Sequence, residues 1–275
     1  MLVIWQPPNL YHLFSPNMSR HMPLEFAAKT DIGMVRVQNE DTVVVDAGLQ
    51  LAILADGMGG YNAGEVASSI ATVAIQEEIE SQLQEYRRLQ KPEEELPTRL
   101  WLMQAVRQAN STIINAARRE PEYRGMGTTL VVAWFEPEGQ VSIAHVGDSR
   151  AYRVRDGLLE QLTRDHSLLQ EQIDAGLIRP EDAQFALNRN IVTRAVGIDY
   201  QLVVEVHQHA LQAGDLYLLC SDGLSDRIGD GDISNIISDA QGDLKMACTM
   251  LINAANQCGG QDNVSVILVR VAQNE

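Results

Sequence analysis

An α+β fold, with antiparallel sheets and helices packed on their outer faces, is predicted by three features of the sequence. Short apolar runs are joined by tight turns, two long helical patterns stand side by side, and strands return after them without a regular β-α-β alternation. The chain has 275 residues, 45% of them hydrophobic, enough for one large domain with a real core.

The elements follow in order from Phe26. Thr42–Val45 and Leu51–Ala55 are apolar or β-branched runs separated by Asp46-Ala47-Gly48, and read as a hairpin. From Ala63 to about Arg88 the apolar positions Val66, Ile70, Val73, Ala74 and Ile79 recur at helical spacing. Lys91–Pro97 breaks this pattern. A second helix over Thr98–Arg119 carries Leu102, Val106, Ala109, Ile113 and Ala117 on one face, so the two helices form an antiparallel pair on a sheet. Thr128–Phe135, Val141–Val146, Arg150–Arg155 and Leu158–Leu162 read as strands. Arg164–Val196 is a polar insertion with short helical pieces at Ser167–Ala175 and Pro180–Ala186. Strands resume at Leu202–Val206, Leu216–Cys220 and Val264–Val271, with helices near Asp230–Ala240 and Leu244–Gln257. Residues 1–23 carry four prolines and no periodicity, and are expected to lie outside a single domain spanning 24–275.

Composition narrows the function. A net charge of −16 disfavours nucleic acid as a partner, because a phosphate backbone is repelled by that field. No run of 18 apolar residues exists to span a membrane, and Met1–Trp5 lacks the basic region of a signal peptide. The three cysteines, Cys220, Cys248 and Cys258, form no CxxC pair and read as reduced, buried thiols of a cytoplasmic protein. The six histidines show no metal-ligand spacing, and His207 and His209 alternate as surface or edge residues of a strand.

Aspartates fall at the ends of the apolar runs. Asp56-Gly57 follows Leu51–Ala55, Gly147-Asp148 follows Val141–Val146, and Asp222-Gly223 follows Leu216–Cys220. Asp262 precedes Val264–Val271, and Glu40-Asp41 precedes Thr42–Val45. Strands of one sheet end along a common rim, so these carboxylates can converge, and converging carboxylates need a cation. Asp-Gly is also the commonest turn dipeptide, and Asp156-Gly157 reads as only that. An all-oxygen ligand set suits Mg²⁺ or Mn²⁺ and not a zinc site. The glycines match neither a P-loop nor a dinucleotide fingerprint, and no GxSxG elbow is present.

The stretch Thr30-Asp31-Ile32-Gly33-Met34-Val35-Arg36-Val37-Gln38-Asn39-Glu40-Asp41 resembles the opening motif of bacterial type 2C protein phosphatases, the PPM family. Asp56-Gly57-Met58-Gly59-Gly60, Gly127-Thr128-Thr129, Gly147-Asp148-Ser149-Arg150-Ala151-Tyr152, Asp165-His166-Ser167, Ser221-Asp222-Gly223-Leu224 and Gly260-Gln261-Asp262-Asn263-Val264-Ser265 follow in that family's order. The resemblance covers about Phe26 to Val271. It implies a central antiparallel β-sandwich flanked by helices on both faces (α-β-β-α), with a two-metal cleft at one end. It further implies that Asp56 bridges two Mn²⁺ or Mg²⁺ ions, with the Gly57 carbonyl on one and Asp222 and Asp262 on the other. Asp41, with Glu40, would hold metal-bound waters, and Asp148 would join Asp222 at a weaker third ion. Arg36 would bind the substrate phosphate, and Arg164–Val196 would be the flap beside the cleft. The implied activity is metal-dependent hydrolysis of phosphoserine and phosphothreonine in phosphorylated protein substrates, countering serine/threonine kinases in bacterial signalling. A hydroxide shared by the ions would attack phosphorus directly, with no phosphoenzyme. A monomer is the default expectation. Met58 stands where animal members carry a histidine suggested as general acid, which leaves the proton donor unassigned. A phosphatase of a small metabolite, and a non-catalytic sensor or docking module on the same fold, are the alternative readings.

Overall fold

The computed structural model describes residues 2–5, 22–60, 62–89, 96–186 and 191–272. Twelve strands are β1 Leu2–Trp5, β2 Leu24–Asp31, β3 Asp41–Asp46, β4 Leu51–Met58, β5 Gly127–Thr128, β6 Leu130–Glu136, β7 Gln140–Val146, β8 Arg150–Arg155, β9 Leu158–Gln161, β10 Glu205–Ala210, β11 Leu216–Cys220 and β12 Val264–Val271. The helices are α1 Ala63–Arg88, α2 Thr98–Arg119, α3 Leu168–Asp174, α4 Asp222–Ser225, α5 Asp230–Asp239 and α6 Leu244–Gln257. One sheet has the order β1-β3-β4-β6-β7-β10, with β5 on β4; the other has the order β2-β12-β11-β8-β9. All pairings are antiparallel except β1 with β3.

The strands read as unbroken apolar runs because both faces of each central strand are buried. In β4, Leu51, Ile53 and Ala55 face α1 and α2, where they meet Ala71, Ile75, Ile79, Leu102, Val106 and Ile113. Ala52 and Leu54 point the other way, into the core between the sheets, with Val131, Ala133, Phe135, Tyr217, Leu219 and Ile267. In β12, Val264, Val266 and Leu268 turn to the outer face of the second sheet and pack on Cys248, Leu251 and Ile252 of α6. The period-2 alternation of each strand thus stacks four layers, helices-sheet-sheet-helices, as the resemblance implies.

Several expectations change in detail. Leu2–Trp5 do not lie outside the fold; the backbone of this short apolar segment adds a parallel edge strand against Val43–Asp46. Residues 6–21 of the leader, 91–95 of the interhelical breaker, 187–190 of the insertion and 273–275 of the tail lie outside the described residues. The strand expected over Thr128–Phe135 is interrupted at Thr129: its N–H donates to the Asp56 carbonyl of β4 at 2.8 Å, but the returning bond from the Asp56 N–H goes to the Thr129 side-chain Oγ1, at 3.4 Å. The strand expected over Leu202–Val206 forms at Glu205–Ala210. Its pairing with β7 ends at Glu205 opposite His145, two residues before Gly147 turns the chain at φ +103°. Cys220 and Cys248 are buried, but Cys258 is exposed at the end of α6. His207 is exposed on the edge strand β10, as expected.

Ile267 is fully buried between the sheets. Ile267→Ala is expected to lower the unfolding free energy by about 2–5 kcal/mol in urea titration; a loss under about 1 kcal/mol would contradict a tightly packed intersheet core.

Candidate metal centre

Asp41 and Asp56 are direct cross-strand partners in the β3–β4 ladder, so their side chains leave the sheet on the same face. Both lie within strands, not beyond them as the apolar runs suggest. The second sheet supplies the opposite wall. Asp222 opens α4 two residues after the end of β11, and Asp262 lies two residues before the start of β12, which pairs with β11. Asp148 sits in the turn before β8, the other neighbour of β11. The two sheets therefore deliver their carboxylates to one cleft.

Hydrogen bonds stitch the walls together. Ser221 Oγ donates to Asp41 Oδ2 at 2.9 Å, linking the second sheet to the first. The Ser265 N–H donates to Ser221 Oγ at 3.0 Å. Asn263 is the main brace: its Nδ2 donates to the carbonyls of Ile32 at 3.0 Å and Gln38 at 2.8 Å, and its Oδ1 accepts from the Glu40 N–H at 2.8 Å. The Asp56 carbonyl accepts from Thr128 Oγ1 at 2.8 Å, as well as from the Thr129 N–H. The Gly127-Thr128-Thr129 motif thereby fixes the strand that carries Asp56. Two glycines permit close backbone approach: a Cβ on Gly57 would overlap Gly64 at the start of α1, and one on Gly223 would overlap the Asn263 carbonyl. At the mouth, Arg36 Nη2 donates to Asp262 Oδ2 at 2.7 Å, and half of the Arg36 side chain remains exposed.

The electrostatics test whether these residues suit cations. Burial and then the facing carboxylates Asp41, Asp222, Asp148 and Asp262 hold Asp56 well above the usual carboxylate range. Asp222 is raised the same way, by burial and then by Asp148, Asp226, Asp262 and Asp41. Burial pushes Asp41 up to about 6 against the opposing hydrogen bonds from Ser265 and Ser221. Asp148 also rises to about 6, through burial and the neighbouring Asp165. Glu40 is raised by burial, with Arg36 opposing. Oxygen donors that repel one another in a half-dry cleft, with Arg36 tied to only one of them, fit divalent cations.

Beside this cleft the structure assembles a group that histidine spacing does not disclose. His145, His166 and Glu205 bring possible ligand atoms within 4.8 Å of one another. The two imidazoles are stacked, with centroids 4.7 Å apart and planes inclined by 20°. Nitrogen lone pairs lie in the ring planes, so nearly parallel stacked rings cannot both aim at one ion. Hydrogen bonds account for the group instead. The Gly147 N–H donates to His166 Nδ1 at 3.1 Å, so the neutral ring carries its proton on Nε2 and donates it to Glu205 Oε1 at 3.1 Å. The His166 N–H returns a bond to the Gly147 carbonyl at 2.9 Å. His145 Nε2 meets the Arg164 carbonyl at 2.9 Å. Arg150 grips Asp165 with Nε and Nη2, at 3.0 and 2.7 Å. The root of the 164–196 insertion is thus latched to the turn that carries Asp148.

Two outcomes are expected. Asp56→Asn removes a repelling charge, so the metal-free variant melts above metal-free wild type, by about 2–4 °C for each ~1 kcal/mol relieved, while Mn²⁺ raises the melting temperature of wild type alone; calorimetry with and without EDTA checks both. Burial lowers the pKa of His145 below the ordinary histidine value, with the Arg164 carbonyl opposing and His166, Glu205 and His207 nearby. A depressed folded-state pKa gives stability that is complete above the unfolded value of about 6.5 and is lost as pH falls. The stability advantage of wild type over His145→Gln, measured in urea, should therefore shrink from about pH 7.5 to about pH 5.5.

Comparison with known proteins gives the family. The family model for Protein phosphatase 2C matches residues 37–262. The serine/threonine protein phosphatase PstP of Mycobacterium tuberculosis is 38% identical over 248 residues, covering 90% of this chain but 45% of the relative, so this chain spans about half of that protein's length. The serine/threonine phosphatase stp of Listeria innocua is 37% identical over 247 residues, covering 88% of this chain and 93% of the relative. Among solved structures, the PstP catalytic domain in complex with two manganese ions superposes with a TM-score of 0.77 at 37% identity, covering 91% of this chain and 99% of that one. With a family match across most of its length and relatives of this similarity, the chain belongs to the protein phosphatase 2C family, a family of metal-dependent phosphatases.

Proposed function

We propose that the protein hydrolyses phosphoserine and phosphothreonine in proteins with two divalent cations, Mn²⁺ or Mg²⁺, countering serine/threonine kinases in bacterial signalling. The observation that carries this reading is the convergence of Asp41, Asp56, Asp222 and Asp262 from both sheets onto one cleft, with Arg36 on Asp262 at its mouth. Names of the Listeria and Mycobacterium relatives support the substrate class. The intact acidic set and the retained arginine speak against a non-catalytic docking module.

In this reading Asp56 would be shared by the two ions, the Gly57 carbonyl would serve one, and Asp222 and Asp262 would hold the other. Asp41 and Glu40 would orient water at the site, and Asp148 with Asp222 would receive a weaker third ion. Cations held there would supply a more acidic water and draw charge from the phosphoryl oxygens. Arg36 is anchored at the rim by Asp262 and turns its exposed donors toward the phosphate, a planar fork that matches two of its oxygens. Cys220 takes no part: burial pushes its thiol up to about 12, so it stays protonated inside the second sheet. Met58 carries no transferable proton, so it cannot protonate the leaving serine or threonine oxygen. Among the described residues no helix is long and apolar enough to cross a membrane. As a separate reading, we propose a cytoplasmic monomer acting on phosphoproteins.

Hydrolysis of a phosphothreonine peptide with Mn²⁺ tests the reading. EDTA should abolish turnover, and Asp56→Asn should reduce kcat by about 10²–10³-fold or more, comparable to losing a major electrostatic contact. Arg36→Lys should act chiefly on KM, raising it about tenfold. Undiminished turnover in EDTA or in the Asp56→Asn variant would refute the metal assignment.

A further inference from the structure

The connection between β2 and β3 carries Arg36, and it is unusual for a surface loop. A turn of this kind is ordinarily made of Ser, Asn, Asp and Gly. Here Ile32, Met34, Val35 and Val37 surround the arginine and stand 38%, 70%, 63% and 90% exposed. Isolated exposed apolar side chains need no explanation, but a contiguous group beside a binding residue does.

The loop is also rigidly held, so it has no route to bury these side chains. The Gly33 N–H donates to Asp31 Oδ1 at 2.9 Å, and the Met34 N–H to the Gly260 carbonyl at 2.7 Å. Asn263 clamps the carbonyls of Ile32 and Gln38, and Gln38 Nε2 donates to Asn62 Oδ1 at 2.7 Å. Gly33 has φ +80°, and a Cβ there would run into the backbone of Asp262 and Gly260. The apolar side chains are therefore presented in a fixed frame, tied through Gly260 and Asp262 to the wall of the cleft.

We propose that Val35 and Val37, with Met34 and Ile32 beside them, form the docking surface for the segment of the phosphoprotein that flanks the phosphorylated residue, and select substrates with apolar neighbours. The inference rests on the phosphatase reading above, since Arg36 as the phosphate-binding residue fixes where the substrate lies. Val35 and Val37 are the neighbours of Arg36 on either side in the chain, within a turn at 33–35 and a bend at 37–38. With the phosphate on Arg36, the substrate residues just before and after it pass within reach of Val35 and Val37. Charge excludes an acidic occupant: a chain of net charge −16, with Glu40 and Asp262 at the cleft, repels acidic flanks, and the exposed loop offers them no cation besides Arg36, so the contacts it presents to a flanking residue are those of its apolar side chains.

The test compares two phosphothreonine peptides, identical except for leucine or serine at the positions flanking phosphothreonine, together with p-nitrophenyl phosphate, which has no flanks. All are assayed with Mn²⁺. Wild type should favour the leucine peptide by about fivefold to tenfold in kcat/KM, expressed in KM, as partial burial of two valines would give. In Val35→Ser/Val37→Ser the preference should fall to within about twofold, with p-nitrophenyl phosphate hydrolysis unchanged. Equal rates on the two peptides in wild type, with p-nitrophenyl phosphate hydrolysed normally, would overturn this inference and leave the phosphatase reading standing. No turnover of any of the three would remove both. A concentration-dependent sedimentation coefficient that the double substitution abolishes would assign the patch to self-association and overturn the inference as well.

Discussion

Buried carboxylates that face one another are the constraint around which this molecule is organised. Left without cations, Asp56 and Asp222 are driven far from their usual ionisation, and Asp41 and Asp148 with them, by loss of water and by mutual repulsion. Such an arrangement persists only where the surrounding structure over-determines it. The four-layer stack does so, since each sheet is fixed on both faces, and the acidic ends of its strands have nowhere else to go.

The polar braces explain why motifs that touch no substrate are nonetheless required. Ser221 and Ser265 carry the first sheet's Asp41 into register with the second sheet. Asn263 holds three backbone groups of the 32–40 loop while its neighbour Asp262 faces the cleft. Thr128 and Thr129 grip the backbone of Asp56 itself. Each brace is a side-chain bond to a strand or loop that would otherwise be free to shift, and sites of this chemistry tolerate displacements of well under an ångström.

The same logic extends to the insertion beside the cleft. His166 bonds Gly147 through both its ring and its backbone, Arg150 grips Asp165, and Glu205 secures the ring from β10. The turn bearing Asp148 is thus held by the root of the 164–196 segment, so the position of that segment and the position of one acidic residue are mechanically joined. The 32–40 loop presents Arg36 in an equally fixed frame. One of these segments is polar and latched, the other apolar and clamped.

The amino-acid sequence by itself determined the α+β class, the paired long helices and the run of aspartates at strand boundaries. Period and turn chemistry are local properties, and so is the rule that a twice-buried strand is apolar throughout. The family motifs carried the identity of the acidic residues and of Arg36. Tertiary structure alone decided the rest. That Asp41 lies opposite Asp56 is a matter of ladder register, and that Asp222 joins them is a matter of how two sheets stack. The strand at Glu205–Ala210 was displaced from the most apolar stretch because its partner ended at Val146. Leu2–Trp5 entered the fold because β3 offered an unpaired edge. The His145–His166–Glu205 group has no signature in the chain, since its members come from three separate segments, and only packing brings them into hydrogen-bonding range.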